Sequence, residues 1–179
     1  MEKRRRPKWA EIIRKLVLFS MLGALMFTSK VVMEALPNVH LVGALVMIYT
    51  IVYRFEALAP IAMFILLSGV YMGFSPWWVP YCYVWAVLWA VTMLLPRRMP
   101  KWLKAPVYIT VCALHGLAFG TLYAPFQALV FGLDWRGMLA WIASGFAFDV
   151  VHAIGNLVAG TLIVPISTVL LKLESKFSR

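Results

Sequence analysis

The sequence predicts an all-α integral membrane protein, a compact bundle of six transmembrane helices with both termini cytoplasmic. Three observations carry this. The chain has 179 residues, of which 63% are hydrophobic and 13% charged, whereas soluble domains carry about 45–50% apolar and about 25% charged residues. The apolar residues fall in long runs, and the hydrocarbon core, about 30 Å thick, selects runs of roughly 17–25 residues. The net charge of +10 is concentrated in clusters beside those runs. Such flanking clusters are anchors against anionic lipid and argue against a nucleic-acid partner.

The runs are read in order. A basic segment, 1–15, holds Lys3, Arg4, Arg5, Arg6, Lys8, Arg14 and Lys15. The first span is Leu16–Leu36, ended by Pro37 and Asn38. It follows a basic stretch as a signal peptide would, but no clean small-x-small cleavage site follows, so it reads as a retained helix. The second, Leu41–Tyr53, is short and stops at Arg54 and Glu56. The third is Ala57–Gly73, ended by Phe74-Ser75-Pro76. The fourth, Val79–Leu95, closes at Pro96 and the Arg97-Arg98 pair, with Lys101 and Lys104 beyond. The fifth is Val107–Phe131, ended by Gly132. The sixth starts near Met138 and runs to about Leu171, with Pro165 kinking it. A basic tail, 172–179, carries Lys172, Lys176 and Arg179. The transmembrane domain is thus 16–171, undivided by any polar linker. Alternating the spans leaves Arg136 as the one basic residue of the outer loops, as the positive-inside rule requires.

The outer loops read EALPNVH, GFSPWWVPYCYVW and GLDWRG. They offer Glu34, Asn38, His40, Trp77, Trp78, Tyr81 and Trp85. An interfacial aromatic belt accounts for part of this. The cytoplasmic loops are poorer in aromatics, however, so the excess on one face suggests a pocket that stacks flat heterocycles or cradles cations. Cys82 and Cys112 fall within spans and read as packed thiols.

Ionisable residues within spans are costly and suggest function; here they are Lys30, His115, Asp149 and His152. At 100° per residue Gly145, Asp149, His152, Asn156 and Gly160 share an arc of about 80°. Such a stripe either packs a neighbouring helix closely or faces a cavity. Asn156, the deepest, reads as structural. Lys30 could snorkel, pair with Glu34 one turn on, or reach Asp149 or a ligand carboxylate. His115, before the Gly116/Gly120 pair, reads as a histidine bonded across helices. The three histidines, His40, His115 and His152, fall at different predicted depths, and no pair has the spacing of a helical metal site. Neither a metal nor another cofactor is therefore expected. No nucleophile faces the Asp149–His152 pair and no Walker motif is present, so the chain reads as neither an enzyme nor an ATPase.

GFAFDVVHAIGNLVAGTLIVP, residues 145–165, resembles the last helix of S components, the substrate-binding subunits of energy-coupling-factor transporters. The resemblance extends in outline from about Lys15 to Lys172. It implies capture of a vitamin-like micronutrient from outside at a prokaryotic plasma membrane. The partner would be an energising module of one transmembrane scaffold subunit and two ATPase subunits. It also implies gate residues at Asn38 and His40, pocket walls at Trp77, Trp78, Tyr81 and Trp85, and a polar anchor at Asp149. Family members often carry an Ala-x-x-x-Ala motif on the first helix for scaffold docking. This chain has Ser20, Ala24 and Thr28 at the same spacing instead. Two other readings stay open: a stand-alone proton-coupled transporter or channel using Lys30, Asp149 and His152, and a small membrane enzyme or haem-binding subunit.

Overall fold

The computed structural model describes residues 8–177, and among them every regular element is helical. Lys3, Arg4, Arg5, Arg6 and Arg179 of the basic clusters lie outside the described residues. The helices are α1 (Lys8–Val32), α2 (Val42–Tyr53), α3 (Leu58–Met72), α4 (Tyr81–Leu94), α5 (Lys101–Leu117), α6 (Phe119–Phe131), α7 (Trp135–Gly160) and α8 (Ile163–Phe177), with a 3-10 turn at Arg54–Ala57. Among the described residues four stretches are long and apolar enough to cross a membrane: 8–32, 42–72, 101–131 and 135–160; 81–94 is a shorter apolar helix. Large apolar side chains also cover the outer surface, among them Leu25, Phe148 and Val158, each more than half exposed. Such a surface is compatible with a membrane protein.

α2 is the centre. Every residue from Val42 to Thr50 is buried, as expected of a helix that is apolar all round. Its two hydroxyl side chains there are both met, Thr50 donating to the Val46 carbonyl at 2.6 Å and Tyr49 to the Leu22 carbonyl at 3.4 Å, so they bring no unmet group into the core. A helix enclosed in this way need not match a bilayer by itself, which accounts for its 12 residues. Arg54 then takes φ 58°, ψ −119°, a positive φ that a non-glycine residue adopts rarely and that turns the chain out of the helix. From this turn the chain leaves α2, which packs on α4 and α8, and enters α3, which packs on α1.

The fifth and sixth runs are each divided. Residues 101–131 break at Ala118, and beside the break the Gly120 N–H donates to Asp149 Oδ1 at 2.9 Å. The last run breaks at Thr161–Leu162, so the expected kink is an interruption between two helices. Pro165 explains its place: the ring cannot coexist with a helical carbonyl four residues earlier, which here is Thr161. Pro165 itself is accommodated in the first turn of α8.

α5 and α7 form the most extensive pair, and the glycines explain it. A Cβ at Gly116 would lie 2.9 Å from the His152 carbonyl oxygen, and one at Gly160 3.1 Å from Ile109 Cα. At one end of the bundle Lys15 pairs with Glu56 at 2.6 Å and Arg14 with Glu174 at 3.3 Å, joining α1 to the 3-10 turn and to α8.

Candidate functional site

The other end of the bundle holds the polar and aromatic residues. The connection from Met33 to Leu41 is a series of tight turns, with the Leu36 N–H donating to Met33 O at 2.9 Å and the Val39 N–H to Leu36 O at 3.1 Å. Asn38 sits at φ 59°, a left-handed conformation that asparagine tolerates better than most residues. Val39 packs over Gly155 of α7, where an added Cβ would lie in ordinary contact with it at 3.4 Å. This connection lies over a cavity of about 230 Å³ lined by Lys30, Glu34, Asn38, His40, Tyr81 and His152, with Phe119 among its walls.

A second cavity of about 280 Å³ lies beside Trp77, Trp78, Ser68 and Tyr123, and Tyr81 lines both. The loop before α4 is held here. Trp78 Nε1 donates to the Ile65 carbonyl at 2.8 Å and Tyr123 Oη to the Trp77 carbonyl at 3.2 Å. Gly69 leaves the space that Phe74 and Trp78 fill.

Between and beneath the cavities is one ring cluster. Trp85 is fully buried, with ring centroids 5.9 Å from His40, 5.7 Å from Tyr81, 5.6 Å from His115 and 5.6 Å from Phe119. His152 lies 4.7 Å from both His40 and Phe119. The three histidines, expected at different depths, therefore meet in one cluster. The expectation failed because it took depth from span boundaries, whereas Ala118 breaks the fifth run beside His115 and His40 lies in the turns below the rim. Even so, no group of three His, Cys, Asp or Glu among the described residues has the geometry of a metal site. The cluster instead presents unpartnered hydrogen-bonding atoms: His40 Nδ1, His152 Nε2, His115 Nδ1 and Trp85 Nε1. Its other ring nitrogen, His115 Nε2, lies 3.1 Å from the Val84 carbonyl. Burial pushes the His40 imidazole down to about 4, with Lys30 adding to the effect, so His40 is neutral near pH 7 and one of its ring nitrogens can accept.

The predicted site residues divide accordingly. Lys30, Glu34, Asn38, His40, Tyr81 and His152 share one cavity, Trp77 and Trp78 line the second, and Trp85, fully buried in the ring cluster, lines neither. Lys30 Nζ contacts Met72 Sδ at 3.4 Å, and neither Glu34 nor Asp149 forms an ion pair with it. Asp149 lies in neither cavity's lining. Its carboxylate meets the N-terminal turn of α6 through Gly120, where helix dipole and free N–H groups favour an anion. Asn156 donates to the Cys112 carbonyl at 3.0 Å and fills the space left by Gly43 and Gly116. Gly145, at the top of the stripe, has nothing near its Cβ position. Ser20, Ala24 and Thr28 are exposed on α1, while neighbouring Gly23 faces Met63 and Pro60 of α3.

Phe119, Tyr123 and Gln127 of α6 escaped the sequence reading. Gln127 is 1% exposed, and neither amide atom has a partner. Its signal is a polar side chain inside an apolar run, weaker than that of an ionisable residue because an amide costs less to bury.

Fold and site together define an all-helical bundle with membrane-length helices and a polar, aromatic cavity beneath a tight cap. Comparison with family models, with curated proteins and with solved structures returns no match.

Proposed function

We propose that this chain is the substrate-binding S component of an energy-coupling-factor transporter. It captures a small micronutrient from outside and hands it to a separate energising module. The observation that carries the reading is the cavity under the Met33–Leu41 connection, in which Lys30, Glu34, His40 and His152 converge beside edge-on and tilted rings. Pockets that bind small molecules are concave, mostly apolar, and carry a few convergent polar groups. The reading includes six passages, with α2 and α3 separated by the turn at Arg54 and with both basic termini cytoplasmic.

The pocket chemistry favours a flat heteroaromatic ligand with polar substituents. Tyr81 and Phe119, which line the cavity, supply faces for stacking. His40 Nδ1, His152 Nε2 and Trp85 Nε1 supply unmet hydrogen-bonding positions. Lys30 and Glu34 at the rim suit a ligand that carries a carboxylate, an amine or both. The exposed Ser20, Ala24 and Thr28 form a small-residue surface on which another helix can approach closely, and this is the proposed contact with the scaffold subunit.

The test is coexpression with candidate scaffold and ATPase subunits from the same genome, followed by purification through a tag on this chain. The reading expects all three to copurify, and Ala24→Leu to reduce recovery of the scaffold while leaving this chain folded. Nutrient uptake at full rate in cells lacking those subunits would instead favour a stand-alone transporter.

A further inference from the structure

The basic end of the bundle has its own pocket, of about 280 Å³, between the 3-10 turn, the end of α4, the start of α5 and α8. Arg54, Arg97 and Lys104 line it, and no carboxylate does. The acids of this end are used elsewhere: Glu56 and Glu11 face Lys15, and Glu174 faces Arg14. Among the described residues Arg54, Arg97 and Lys104 thus have no ion-pair partner.

Arg54 is held in place. Its Nη2 donates to the Met93 carbonyl at 3.0 Å, and its own carbonyl accepts from Trp89 Nε1 at 3.1 Å. Its Nε is buried without a hydrogen-bond partner. Arg54, Arg97 and Lys104 thus gather like charges on one pocket, where an anion would relieve them. Ile51, Leu95 and Leu171 add apolar walls. An arginine fork with a second cation suits phosphate oxygens, and apolar walls beside them suit acyl chains.

We propose that this pocket binds a phosphate group, and that the phosphodiester of an anionic phospholipid supplies it, a basic cleft between helices being a known kind of headgroup site. The assignment is independent of the cavity at the other end.

The test is native mass spectrometry of the full-length protein released from mixed micelles containing equal phosphatidylglycerol and phosphatidylcholine. Wild type should retain phosphatidylglycerol preferentially. The R97Q/K104Q double variant should lose that preference by roughly ten- to thirtyfold, with unchanged thermal stability in lipid-free detergent. A second variant, R54Q, should show the same direction of change. Equal retention of both lipids by wild type, or an unchanged preference in R97Q/K104Q, would overturn the proposal. Displacement of phosphatidylglycerol by millimolar inorganic phosphate would overturn the lipid as source and leave free phosphate as the occupant.

Discussion

His40 shows how one residue joins the cap to the cluster. It is packed against His152 and Trp85, and burial holds its imidazole down to about 4. An unfolded histidine titrates near about 6.5. Between about pH 6.5 and 4 the unfolded chain binds a proton that folded His40 refuses, so stability falls as the pH is lowered through that window and levels off below it. Thermal unfolding followed from pH 7.5 to 4.5 should therefore show a steeper acid loss in wild type than in His40→Gln. Parallel curves would mean that His40 titrates as if exposed. Asp149 gives the opposite lesson at the same scale. An acid in the middle of an apolar helix invited a functional reading, yet its carboxylate accepts from the Gly120 backbone and lines neither cavity.

Among the elements, α5–α6 and α7 set the geometry of the site. Gly116 brings the α5 backbone against the His152 carbonyl, and Gly120 leaves the space that the Asp149 carboxylate occupies. Gly116→Leu has no free volume to enter. It should cost at least about 1–3 kcal/mol, the usual penalty for overpacking, read as a lowered unfolding temperature. Gly145→Leu meets open space and should be nearly neutral. Equal effects of the two would contradict the close packing at Gly116. Much of this level was legible in the sequence. The spacing of Asp149, His152, Asn156 and Gly160 placed them on one face, and all four are buried. The division of the last run was less legible. A proline four residues after Thr161 signals a disturbed carbonyl, but the difference between a kink and a two-residue interruption depends on how α8 packs on α2 and α5.

For the whole molecule, composition and run length were enough to predict helices of membrane length, because apolar surface in such excess cannot be buried in a soluble globule. What could not be read was which side chains meet. The convergence of His40, His115 and His152 on Trp85 and Phe119 joins four separate parts of the chain. It depends on the break at Ala118 and on the turns before α2, neither of which has a hydropathy signal. Under the proposed function, this convergence forms a binding site for a small organic nutrient. Mass spectrometry of small molecules released from the purified protein tests it most directly, comparing wild type with Lys30→Gln and Tyr81→Leu. One heteroaromatic compound should be found close to stoichiometric in wild type and strongly depleted in both variants, with the variants still folded. Protein that refolds or purifies without any retained compound, and binds none from a nutrient mixture, would contradict it.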